Sequence, residues 1–257
     1  MEARLTEFSY GYCVTEELAN GTGPGFKAAP YFPSLYAEGK EGGGFDVQLG
    51  SALFLQFKLS DELTRSYATE AKLGLLNPTF FRFSLHRRDR STQHQMLIEL
   101  EAVKGNQVYY IAPGFAQLVS LDSAYQGRTV VSESALFSPS DIGPLVDDGY
   151  HTVAFRLDNA VGWFLSKPKE IPVRHQRELL KKALTKPTAP KSRLAQEWLT
   201  GLAEKMKSIA AQHSKAEVQS PNRKLRSRDN ADPLNEVEYL ARTRFGCELF
   251  LLAQPHK

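Results

Sequence analysis

Polar side chains interrupt two neighbouring apolar strand patterns, and that interruption restricts this chain more than anything else in it. Residues 42–47 read Gly42-Gly43-Gly44-Phe45-Asp46-Val47, and residues 52–58 read Ala52-Leu53-Phe54-Leu55-Gln56-Phe57-Lys58. Gly50-Ser51 between them reads as a tight turn, so the two patterns predict a hairpin. Gln56 and Lys58 are two apart and therefore share a strand face. The hairpin would bring Asp46 beside them. An acid, an amide and an ammonium on one buried patch cost several kcal/mol unless they serve one another or a ligand. The bland alternative is a hairpin whose polar residues face solvent, since an edge strand tolerates lysine.

The rest of the chain reads as alternating helix and strand patterns. A helix is expected over residues 6–19, with Thr6 as its cap and Asn20-Gly21 as its stop. Strands follow at 31–38, 43–49 and 52–59, then a polar, irregular stretch from 61 to 78. A strand at 80–85, a helix at 91–101, a strand at 108–113 and a helix at 115–125 complete the first half. Further strands are expected at 129–137 and 151–157, with a rigid loop at 138–144. Residues 168–190 read as proline-rich chain with one short helix. Leu194, Trp198, Leu199, Leu202, Met206 and Ile209 have the spacing of an amphipathic helix over 192–212. A linker near 214–233, a helix near 235–244 and an apolar strand from Cys247 to Ala253 close the sequence.

The stretch Gly43-Gly44-x-Asp46-Val47 followed by Gln56-x-Lys58 resembles the restriction-endonuclease-like nuclease superfamily, and within it the Mrr-type enzymes. That superfamily carries an Asp…(Glu/Gln)-x-Lys motif on an αβββαβ core with a mixed central sheet. The resemblance covers roughly residues 1–130. It implies an α/β fold with a nuclease-like core over 1–166. Residues 167–257 would then be a basic, mainly helical extension whose terminal helix and strand return to the core. It also implies Mg²⁺ or Mn²⁺ as cofactor, bound by Asp46, by the Gln56 amide oxygen and by the Phe57 carbonyl. Lys58 would orient the attacking water and stabilise charge on the phosphate, and a further acid would come from the first helix, Glu17 before Glu16. Gln56 in place of the usual Glu removes one negative charge from the metal site. The implied activity is hydrolysis of DNA phosphodiesters in bacterial restriction or antiphage defence, with an ATPase or sensor protein as partner. The rival is a non-catalytic adaptor for nucleic acid or protein on a degenerate nuclease fold.

Charge is unevenly placed. Residues 167–228 carry sixteen Lys and Arg against five Glu, a surplus of eleven in a chain of net charge +3. The Arg223-Lys224-Leu225-Arg226-Ser227-Arg228 run within it is the candidate nucleic-acid contact, for DNA first and RNA as the alternative. A solvated linker is the plainer reading of that run. His86-Arg87-Arg88-Asp89-Arg90 is a second charge run, of the kind that is usually a solvated face. His94 reads as an exposed histidine on a polar helix, and Asp147-Asp148 as a turn. No phosphate-binding Gly-rich loop with Lys-Ser/Thr and no Gly-x-Ser-x-Gly motif occurs, which argues against NTP hydrolysis and serine chemistry. No apolar run nears the ~20 residues of a membrane span. Met1-Glu2-Ala3-Arg4 lacks a signal core, and the two cysteines, Cys13 and Cys247, form no metal pattern. A cytoplasmic location is expected, and a homo-oligomer is compatible with all of this.

Overall fold

A computed structural model of the chain describes residues 1–20, 49–175, 192–213 and 232–253. It is a mixed α/β structure built on two sheets. One has four strands in the order β5-β4-β1-β9, and the other has five, β2-β3-β6-β7-β8. In the first sheet β1 (Leu49–Phe57) runs parallel to β4 (Asn106–Pro113) and antiparallel to β9 (Glu248–Ala253), while β5 (Ser134–Phe137) pairs antiparallel with β4. The second sheet is antiparallel throughout, with β2 (Asp61–Leu63), β3 (Phe80–Leu85), β6 (His151–Phe155), β7 (Val161–Phe164) and β8 (Lys169–Pro172). Among the described residues no helix is long and apolar enough to cross a membrane.

Strand β1 is apolar on both faces because both are covered. Ala52 and Phe54 join Val108, Tyr110 and Ala112 on the face turned to the second sheet, whose Phe83, Val153 and Phe155 complete one core. Rings of Phe83, Phe137 and Phe155 meet there at 5.3–6.4 Å between centroids. Leu53 and Leu55 join Tyr109 and Ile111 on the other face, under helices α1 (Glu7–Asn20) and α4 (Leu118–Gly127). Such burial on two sides explains why the strand reads as a continuous apolar run rather than an alternation.

Helix α1 starts where the sequence predicts. The Thr6 hydroxyl accepts the Ser9 amide at 3.0 Å, which satisfies an amide that has no partner within the helix. Tyr10, Val14 and Leu18 are buried at i, i+4 and i+8, so one stripe of α1 lies on the sheet. The fit is close at Gly11, where an added Cβ would stand 3.0 Å from the Phe57 ring.

Two corrections concern the hairpin. Gly50 and Ser51 lie within β1 rather than in a turn, at a register irregularity opposite β9. The edge that a hairpin partner would use is taken by β9 from Leu49 to Leu55, while β4 holds the other edge. The strands expected at 31–38 and 43–49 lie outside the described residues, Leu49 apart. The stretch 61–78 is more regular than its polarity suggests, holding β2 and the one-turn helix α2 (Thr69–Lys72). Residues 138–144 contain a helical turn, α5 (Pro139–Ile142), capped by Ser138. The strands β7 and β8 were not legible at all.

The C-terminal segments are not set apart from the rest. Strand β8 extends the second sheet, and Arg174 bridges to Leu136. Helix α6 (Ser192–His213) buries Leu199, Leu202, Ala203, Met206 and Ile209 in the larger core. Helix α7 (Pro233–Leu240) is capped by Asp232, runs into a π-helical turn (Ala241–Phe245), and leads through Gly246 into β9. The final helix packs on the larger core, and β9 sits beside the central strand.

His94 is not exposed. Helix α3 (Gln93–Ala102) is covered on its polar side as well, leaving His94 only 4% accessible. Its Nε2 lies 2.8 Å from the Gly143 carbonyl and its Nδ1 lies 2.8 Å from the Tyr110 hydroxyl. A carbonyl only accepts, so Nε2 carries the proton and Nδ1 accepts from Tyr110. Burial lowers the His94 pKa below its usual value, and the bond to Gly143 offsets part of that. The unfolded chain therefore takes up a proton first, and the contribution of His94 to stability is lost as pH falls from about 6.5 through the lowered folded value. Replacing His94 by Gln should cost ~1–3 kcal/mol near pH 7 through the unsatisfied partners. It should also flatten the decline of urea midpoint between about pH 6.5 and 5. An equal decline in both proteins would show that His94 does not carry it.

Candidate functional site

Beyond Leu55 no strand among the described residues pairs with the β9 side of β1, because the β9 ladder begins at Leu55 opposite Glu248. Gln56 and Phe57 occupy that edge at the C-terminal end of the parallel β1–β4 pair. Crevices outside the carboxyl ends of parallel strands are where α/β sheets place their ligands. A cleft of about 530 Å³ lies there, lined by Glu7 and Tyr12 of α1, by Gln56 and Phe57, and by Arg242 and Glu248 of the C-terminal segment.

The Gln56 carboxamide is 6% exposed and its orientation is fixed by neighbours. Its Oε1 accepts from Gln93 Nε2 at 2.9 Å, and the same nitrogen donates to the Phe245 carbonyl at 2.9 Å. Its own Nε2 then donates to the Phe57 carbonyl at 3.2 Å. The Phe245 carbonyl can only accept, so it demands the NH₂ end of Gln93, which in turn demands the oxygen end of Gln56. Gly246, at φ +61°, makes room for this; a Cβ there would collide with the Gln93 nitrogen.

Lys58, next in the chain to Phe57, is not among the residues that line this cleft, and it is the costliest residue of the region. It is 4% exposed, and its Nζ lies 5.8 Å from the centroid of the Tyr110 ring. Among the described residues its ammonium makes no hydrogen bond or ion pair. Burial lowers its pKa below the usual lysine value, and the Glu7 carboxylate offsets part of that. Burial and the Lys58 charge lower the His86 pKa, again against Glu7. Three elements thus place charges that act on one another without direct contact: Glu7 from the first turn of α1, Lys58 from the end of β1, and His86 from the end of β3. Gln56 and Lys58 share the side of the sheet that carries Tyr110, as their spacing predicts.

Glu17 is not part of this set. It lies ten residues along α1 from Glu7, ~15 Å of helix. Its Oε2 accepts the Val131 amide at 3.3 Å, while its Oε1 is buried without a hydrogen-bond partner. Burial raises its pKa, with the Val131 and Val130 amides pulling the other way. Glu16 pairs with Arg128 beyond α4. Helix α1 covers the opposite face of the sheet from Lys58, so only its N-terminal turn reaches round the strand end. The acid whose charge acts on Lys58 is Glu7, and a first-turn acid is ordinary helix chemistry that carries no sequence signal of such a role. Gln93 had no signal in the sequence.

Asp46 and the run Arg223, Lys224, Arg226 and Arg228 lie outside the described residues. His86 belongs to the set above, while its neighbours Arg87 and Arg88 pair with Asp89 and Asp148. No group of three or more His, Cys, Asp or Glu is assembled among the described residues. For Mg²⁺ or Mn²⁺ the described residues offer one available oxygen at this point, the Phe57 carbonyl, which the Gln56 carboxamide meets with its N–H end. The end of the Gln56 carboxamide lies 3.2 Å from the Phe57 carbonyl, so turning the amide end for end would set two oxygens together. Oxygens are the donors these hard ions take. Compared with known proteins, the chain matches no family model, no curated protein and no solved structure.

The placement of Lys58 has a measurable consequence. A cation–π contact at this range contributes ~0.5–1 kcal/mol, whereas desolvating an ammonium without a close partner costs several. Lys58→Met keeps the length of the chain and removes the charge. It should leave stability unchanged or raise it by ~1 kcal/mol in urea unfolding. A loss of more than about 1 kcal/mol would make Lys58 a structural residue.

Proposed function

We propose that this protein hydrolyses phosphodiester bonds in DNA, on a variant of the restriction-endonuclease-like fold. The observation that carries the reading is the buried Lys58 ammonium at the C-terminal end of a parallel strand pair, with the Glu7 charge acting on it. A fold keeps a desolvated cation near a strand edge at the expense of its stability, and an anionic substrate gives that cation a use. In this reading Lys58 places positive charge against the phosphate oxygen on which charge grows during displacement. Its lowered proton affinity also suits it to hand a proton to the departing oxygen. Glu7 keeps the ammonium charged until substrate arrives. A divalent ion, held by the Phe57 carbonyl, the Gln56 amide oxygen and an acid such as Asp46, would polarise the phosphate and lower the pKa of a bound water.

A second reading rests on a specific observation. Gln56 is uncharged and both ends of its carboxamide are already hydrogen-bonded. That favours a chain that binds nucleic acid or a partner protein at the same edge without cutting. A role beside an ATPase or sensor in bacterial defence suits either reading and rests on the sequence motif alone.

Cleavage of supercoiled plasmid and of a labelled single strand with Mg²⁺ or Mn²⁺ separates them. If the first reading holds, Lys58→Ala, Glu7→Gln and Asp46→Asn should each slow cleavage by ~10²-fold or more while the fold persists. Undiminished cutting by the Lys58 and Glu7 variants would remove both residues from the mechanism. Wild-type protein that binds DNA but cuts under no condition is the adaptor.

A further inference from the structure

We infer that Gln93 is the positioning residue of this site: anchored by the Phe245 carbonyl, it sets which end of the Gln56 carboxamide faces the Phe57 carbonyl, and so sets cation affinity there. The inference rests on the metal-dependent reading for its consequence, though not for its geometry.

The relay is determined by hydrogen-bond polarity alone. Gln93 Nε2 serves two acceptors, Phe245 O and Gln56 Oε1, each at 2.9 Å. Reversing Gln93 would press its oxygen on the Phe245 carbonyl, and reversing Gln56 alone would set two NH₂ groups face to face. Either arrangement leaves buried polar groups opposed. The observed state therefore presents an N–H to the Phe57 carbonyl, the wrong polarity for a cation. Capturing an ion between Phe57 O and Gln56 Oε1 requires Gln56 to turn, and Gln93 opposes that turn. The anchor comes from the π-helical turn, an irregularity often associated with functional sites. Gly246 follows it in the left-handed region and leaves the space that Gln93 fills.

Two substitutions test this on the full-length protein. Gln93→Leu removes both hydrogen bonds at similar volume. Gln93→Glu offers acceptors only, so it welcomes a turned Gln56 NH₂. The first readout is the pair of Gln56 side-chain amide signals in ¹⁵N–¹H spectra of metal-free protein, identified by their loss in Gln56→Leu. They should move in both Gln93 variants, and signals that stay in place overturn the inference. The second is Mn²⁺ affinity by calorimetry. Release of one opposing hydrogen bond should tighten binding about tenfold in Gln93→Leu, and further in Gln93→Glu. If Mn²⁺ binds wild type and both variants equally, or the variants more weakly, Gln93 supports the fold only and the inference fails. If the amide signals move while no form binds Mn²⁺, the positioning role stands and the metal-dependent function falls.

Discussion

Strand β1 is bonded along both edges, to β4 and to β9, and Gln56, Phe57 and Lys58 take their places from that double pairing. β4 fixes the height of the site, since Gln56 stands beside Tyr110 and the Lys58 amide donates to the Ile111 carbonyl at 2.9 Å. β9 fixes its opening, since its ladder stops at Leu55 and leaves Gln56 and Phe57 with no strand partner among the described residues on that side. Helix α1 lies across one face and the second sheet across the other. The end of the strand is consequently where, among the described residues, charges from both faces come within influence of one another: Glu7, Lys58 and His86.

Much of this order was legible because the patterns are long or strongly apolar. The periodicity of α6, the run that became β4 and the apolar close of the chain in β9 each announced themselves. The hairpin did not survive, because Gly50-Ser51 reads as a turn only if nothing else competes for the edge of β1. A strand nearly two hundred residues away does compete, and local sequence holds no trace of it. β7 and β8 are short and carry Gly162 and Pro172, so no alternation develops. His94 looked exposed because a polar helix face normally is, yet α3 is enclosed and the histidine finds two partners indoors.

At the site itself, spacing located Gln56 and Lys58 on one side of the sheet, because a two-residue period needs no tertiary knowledge. The structure places Glu17 away from Lys58 for a reason of the same kind. Its helical phase points it inward, but inward on α1 means toward Val131, on the far face of the sheet from Lys58. Gln93 and the Phe245 carbonyl were out of reach of any motif, since their role follows only from which atom can donate to which.

The position of β9 also bears on when the site can exist. Phe250 pairs with Leu53, so the central ladder joins segments 197 residues apart. Closing so long a span is slow, and few local contacts favour it beforehand. On the ribosome, Gln56, Lys58 and Glu7 emerge well before the strand that bounds their edge and the carbonyl that orients Gln56. A nascent chain thus carries an unfinished sheet edge and an unanchored carboxamide until synthesis has passed residue 253. The candidate site takes its described form only when the two ends of this ladder have met.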